Sequence, residues 1–140
     1  MSTAPRKASE SPARAPSYRV LVVEDAPDTR EVLRLLLERE GYEVLTAEDG
    51  LSAVETALRE LPDAIIMDMS LPVLDGYNAA RVIRREPALA SVPLIACTAL
   101  NRWEWRGKAI AAGFDAFIPK PLDVRKLAST LAGLLARRPA

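Results

Sequence analysis

From residue 18 onward the chain alternates five times between a short apolar run and a longer segment of helical period. That alternation constrains the fold more tightly than any composition figure. Short apolar strands separated by helices imply a parallel sheet with helices covering both faces. Residues 18–23, 42–47, 64–67, 92–97 and 114–118 read as strands. Residues 27–40, 51–61, 76–85 and 101–112 read as helices, and a fifth starts at Leu122 or Asp123. Pro27 falls in a first helical turn, where its missing N–H does no harm, while Gly41 and Gly113 stop helices. Leu51, Val54, Leu58 and Leu61 share one helical face, as do Val124, Leu127, Leu131, Leu134 and Leu135.

Two features constrain the edges of the sheet. Pro119, directly after Ile118, is poorly tolerated in a central strand, so the fifth strand belongs at an edge. The second strand, with Glu43, Thr46 and Glu48 nearby, suits the other edge. The order 2-1-3-4-5 satisfies both and sets strands one and three side by side at a topological switch point. Ligands of open α/β sheets bind there, outside the strand C-termini.

Each of four strands delivers polar chemistry to that end. Glu24 and Asp25 follow Val20-Leu21-Val22-Val23, Asp68 follows Ala64-Ile65-Ile66-Met67, Thr98 follows Leu94-Ile95-Ala96-Cys97, and Lys120 follows the fifth strand. A charge at the end of a buried strand is costly unless paired. Three converging carboxylates need a strong cation or a proton, and hard oxygen donors select Mg²⁺ or a similar ion. Lys120 is a second cation, and Thr98 can donate to a phosphoryl oxygen. A reaction in which Asp68 itself takes a phosphoryl group uses every one of these side chains.

Composition narrows the function classes. The 140 residues suffice for one domain with a real core. Nineteen basic residues balance nineteen acidic ones, so no global field draws the chain to nucleic acid or a membrane surface. Histidine is absent, which excludes a phosphohistidine donor or a histidine-ligated zinc site in this chain. The single cysteine, Cys97, excludes an intramolecular disulfide framework and fits a cytoplasmic setting. No apolar stretch approaches the roughly 18 to 20 residues of a membrane span. Residues 1–17, rich in Pro, Ala and Ser, are expected to form a disordered tail ahead of a domain at 18–138.

Taken together, Glu24-Asp25, Met67-Asp68-Met69, Leu71-Pro72 with Asp75-Gly76, Thr98-Ala99, and Phe117 with Lys120-Pro121 make the chain resemble a response-regulator receiver domain of two-component signalling. The match covers residues 19–136. The resemblance implies a flavodoxin-like receiver fold with the 2-1-3-4-5 order, and a domain that signals without being an enzyme beyond its own phosphorylation and dephosphorylation. It implies Asp68 as phosphoacceptor, with Glu24, Asp25, Asp68 and the backbone carbonyl of Ser70 as Mg²⁺ ligands. Lys120 would contact the phosphoryl group, and the Lys120-Pro121 bond is expected to be cis. Thr98 and Phe117 would form the switch to a surface made by the fourth helix, fifth strand and fifth helix. Phe117 replaces the frequent tyrosine, so a phenolic hydroxyl takes no part.

The fourth helix carries the distinctive segment, Asn101-Arg102-Trp103-Glu104-Trp105-Arg106-Gly107. Trp103 and Trp105 point about 200° apart on a helix, so both cannot share one buried face. Trp and Arg are enriched at interface hot spots, which makes Trp103 and Arg106 candidate partner contacts. Gly107 in mid-helix costs about 1 kcal/mol relative to Ala, consistent with a loosely held helix. The leading expectation is a stand-alone receiver with no output module of its own. Its partners would be a sensor histidine kinase or phosphotransfer protein and a downstream protein target, with phosphorylation-dependent homodimerisation as a further option and no direct nucleic-acid contact. Two other readings are a constitutive adaptor indifferent to phosphorylation and a Mg²⁺-dependent phosphohydrolase. The latter is disfavoured because Ser70, not an acid, stands two residues after Asp68.

Overall fold

The computed structural model describes residues 17–98 and 103–137, with side chains left out of the description at 103–105. Five strands alternate with five helices: β1 (Arg19–Val23), α1 (Pro27–Arg39), β2 (Glu43–Ala47), α2 (Gly50–Glu60), β3 (Ala64–Asp68), α3 (Gly76–Arg85), β4 (Leu94–Thr98), α4 (Trp103–Ala112), β5 (Ala116–Pro119) and α5 (Val124–Arg137). The sheet is parallel throughout in the expected order β2-β1-β3-β4-β5, with β2 and β5 at its edges. Pro119 sits at the end of the edge strand, opposite Thr98.

Period-two alternation divides the buried strand residues between two cores. Leu21, Val23, Ile65, Met67, Leu94 and Ala96 face α2, α3 and α4, where they meet Ala53, Ala57, Ala80, Ile83 and Ala109. Val20, Val22, Ala64, Ile66, Ile95, Cys97 and Ile118 face α1 and α5, against Leu33, Leu37, Leu127, Leu131 and Leu135. Burying a Leu or Ile side chain completely is worth about 1.5–3 kcal/mol, so these two layers dominate stability.

The structure moves several expected boundaries. Thr98 lies inside β4 and Asp68 inside β3, not just beyond them. α2 starts at Gly50 because the Asp49 carboxylate accepts from the Ser52 N–H at 2.7 Å, and the Ser52 side chain reciprocates in a capping box. β5 and α5 begin one or two residues late. Asp123 caps α5 through the Lys126 N–H at 3.2 Å. A one-turn 3-10 helix at Pro87–Leu89, unforeseen in the sequence, bridges α3 and β4. Of the expected disordered tail, residues 1–16 lie outside the described residues, and the Ser17 hydroxyl donates to the Gly41 carbonyl at 3.3 Å.

Close backbone contacts then fix the rim around the C-terminal end of the sheet. A Cβ at Gly76 would stand 2.1 Å from the Asp68 carbonyl oxygen, so only glycine lets α3 start against the end of β3. Between them Val73 adopts a positive φ of 68°, and the Leu74 N–H reaches back to the Pro72 carbonyl at 2.7 Å. That is a γ-turn in a conformation β-branched residues rarely adopt. The Lys120-Pro121 bond is cis, as expected.

Candidate functional site

Glu24, Asp68 and Lys120 continue the alternation that puts Val22, Ile66 and Ile118 on the α1/α5 side of the sheet. Three adjacent or near-adjacent strands therefore aim them at one place. The Lys120 Nζ donates to Glu24 Oε1 and to Asp68 Oδ2, each at 2.9 Å. Asp68 Oδ1 accepts from the Ser70 N–H at 2.9 Å, and Glu24 Oε2 from the Ala26 N–H at 3.1 Å. Carboxylate oxygens of Glu24, Asp25 and Asp68 lie within 4.8 Å of one another. Glu24 and Asp68 are buried, while Asp25 is exposed and leaves the cluster open to solvent.

With all three acids ionised, three negative charges face the single ammonium of Lys120. Burial pushes the Glu24 carboxyl up from its ordinary value of 4.5, and the Lys120 hydrogen bond only partly offsets this. Burial alone would depress the Lys120 ammonium. Its hydrogen bonds to Glu24 and Asp68 outweigh that and hold it above 10.5. A crowded, oxygen-only, partly open cluster short of positive charge suits a hard divalent cation.

The remaining expected residues fall into separate groups. Thr98 is buried at the end of β4, and its carbonyl accepts from the Lys120 N–H at 2.7 Å, which joins the switch candidate to the lysine through the backbone. Phe117 is partly buried against the core on the α4 side. Arg106 is exposed on α4, remote in sequence from the acidic cluster. The side chain of Trp103 lies outside the described residues. Ser70 meets Asp68 through its N–H.

Two contributors were missed in the sequence. One is Gly76, quoted there only as part of a motif, whose lack of a side chain admits α3 to the Asp68 backbone. The other is Arg30, whose guanidinium donates to the carbonyls of Glu24 at 2.8 Å and, at a longer 3.4 Å, Asp25. A signal was present, since a cation near a helix N-terminus opposes the macrodipole and calls for a compensating contact.

Residues 20–132 match the model of the response regulator receiver domain. The chain belongs to the response-regulator receiver family. This receiver is 39% identical over 108 residues to an uncharacterized 14.6 kDa protein of Leptolyngbya boryana, covering 77% of this chain and 82% of that protein. It is 31% identical to the DNA-binding dual master transcriptional regulator RpaA of Synechocystis, covering 85% of this chain but 49% of the regulator. The chain thus spans most of the first relative and about half of the second. Among solved structures it is similar to the receiver domain of the sensor histidine kinase PA1611 of Pseudomonas aeruginosa, at 37% identity and a TM-score of 0.81. That match covers 86% of this chain and 99% of that one. The Pseudomonas structure holds a magnesium ion in its active-site cleft. Membership in this family makes residues 20–132 a receiver domain of two-component signalling. No described helix of the receiver is long and apolar enough to cross a membrane.

Proposed function

We propose that this receiver accepts a phosphoryl group on Asp68 from the phosphohistidine of a sensor kinase or phosphotransfer protein and thereby changes its affinity for a protein target. The observation that carries the reading is the convergence of Glu24, Asp25 and Asp68, with Lys120 bonded to both buried acids. An Asp68 carboxylate oxygen attacks phosphorus. The bond from phosphorus to the donor nitrogen breaks, and the imidazole leaves with the electron pair. Glu24, Asp25, Asp68 and the Ser70 carbonyl would hold Mg²⁺, which when bound supplies charge neutralisation at the phosphoryl oxygens.

Lys120 is already within hydrogen-bonding reach of Asp68 and would transfer one contact to a phosphoryl oxygen once the carboxylate is esterified. The Thr98 hydroxyl would take another. Drawing Thr98 toward the phosphoryl group and reorienting Phe117 changes the surface of α4, β5 and α5, where Trp103 and Arg106 meet the target. The net charge of zero argues against direct nucleic-acid contact by this domain.

Incubation with MgCl₂ and acetyl phosphate, followed by intact mass, tests the acceptor. One added phosphoryl group in the parent and none in Asp68→Asn is the expected result. An unmodified parent at every Mg²⁺ concentration would overturn the reading.

A further inference from the structure

The loop Glu24-Asp25-Ala26 carries two of the three converging carboxylates and has little of its own to fix its shape. Ala26, the N-cap of α1, offers no side-chain cap, and Pro27 has no N–H to give. One residue compensates. The three consecutive carbonyls of this loop all accept hydrogen bonds from Arg30. Its guanidinium Nη1 donates to Glu24 O at 2.8 Å and Asp25 O at 3.4 Å. Its backbone N–H donates to Ala26 O at 2.9 Å. The Arg30 side chain is only 21% exposed, and its other nitrogen lies 3.9 Å from Glu48, after β2.

We infer that Arg30 is a positioning residue that sets Mg²⁺ affinity by fixing the peptide planes of Glu24 and Asp25. With their carbonyls turned to the guanidinium, the loop is held on one side. The Glu24 N–H is engaged by the Ala47 carbonyl at 3.1 Å, and the Ala26 N–H by the Glu24 carboxylate. The exposed Asp25 carboxylate makes no hydrogen bond among the described residues. Its direction is set by a backbone that Arg30 immobilises. Arginine suits this task because its planar fork spans neighbouring acceptors, which a single ammonium cannot do. Residues that orient metal ligands in this indirect way typically account for 10- to 100-fold in affinity. The site could have done without a cation here, since a helix N-terminus disfavours one. Positioning therefore outweighs that local repulsion. This inference rests on the proposed Mg²⁺ site.

The test is a MgCl₂ titration of the full chain, followed by amide chemical shifts, alongside thermal melts of the metal-free protein. The parent is expected to saturate. Arg30→Gln should bind about tenfold more weakly, with a metal-free melting temperature close to the parent's, and Arg30→Lys should fall between them. Should Arg30→Gln not fold, Arg30→Lys alone decides, through a weaker Kd. Equal or tighter binding in the variants, or a lowered melting temperature with unchanged Kd, overturns the role of Arg30 while leaving the acceptor site standing. A parent that shows no saturable response removes the metal site itself, and this inference with it.

Discussion

Cys97 lies on β4 directly across from Asp68 in the β3–β4 register, yet it has no part in the chemistry. Burial pushes its thiol up to about 12, so almost none is thiolate near neutrality. Iodoacetamide at pH 8 should leave the native protein unmodified and alkylate it rapidly in denaturant, as read by intact mass; fast native alkylation would contradict the burial. Lys120 gives a pH signature of opposite origin. Its folded value lies above the ordinary 10.5, so its ion pairs contribute fully below that value and are lost as pH rises through the higher folded one. Melts of metal-free parent and Lys120→Met should differ most between neutrality and about pH 10 and converge as pH rises through the raised folded value. A gap that widens with pH would refute the pairing. The acids, the lysine and the threonine were legible as residues because each punctuates an apolar run. Arg30 gave only the weaker signal of a cation in the first turn of a helix, and its partners are backbone carbonyls that no residue type announces.

Two glycines in helices differ sharply in the room an added side chain would find. At Gly76 an added Cβ would press on the Asp68 carbonyl at 2.1 Å, so Gly76→Ala should destabilise by about 2–3 kcal/mol, the scale of overpacking. At Gly107, in the middle of α4, the added atom meets nothing within 4 Å among the described residues beyond its own stretch of helix. Gly107→Ala should then stabilise by about 0.5–1 kcal/mol. Denaturant midpoints of the two variants check both signs, and a stabilising Gly76→Ala or a destabilising Gly107→Ala would contradict the packing described. Helix and strand identities were readable from periodicity and from Pro and Gly punctuation. Element ends were less so, because Asp49, Asp75 and Asp123 each cap through geometry that the sequence shows only as another acidic residue. The γ-turn at Val73 was hidden for a different reason. A valine at positive φ runs against its own preference, and close packing between α3 and β3 imposes it.

The whole molecule carries its acidic corner and α4 on one five-stranded sheet. Pro119 and the polar second strand marked the two edges, the receiver resemblance supplied the order between them, and that order brings Glu24, Asp25 and Asp68 together. What sequence could not supply was the second set of backbone contacts that tightens the corner. The central claim is that the state of Asp68 is read on α4, β5 and α5. Amide hydrogen exchange of the full chain, compared before and after phosphorylation by acetyl phosphate and MgCl₂, measures this directly. Altered exchange is expected in peptides covering residues 103–119, with little change across β2 and α2 and no response in Asp68→Asn. Stoichiometric phosphorylation with unchanged exchange in residues 103–119 would contradict it.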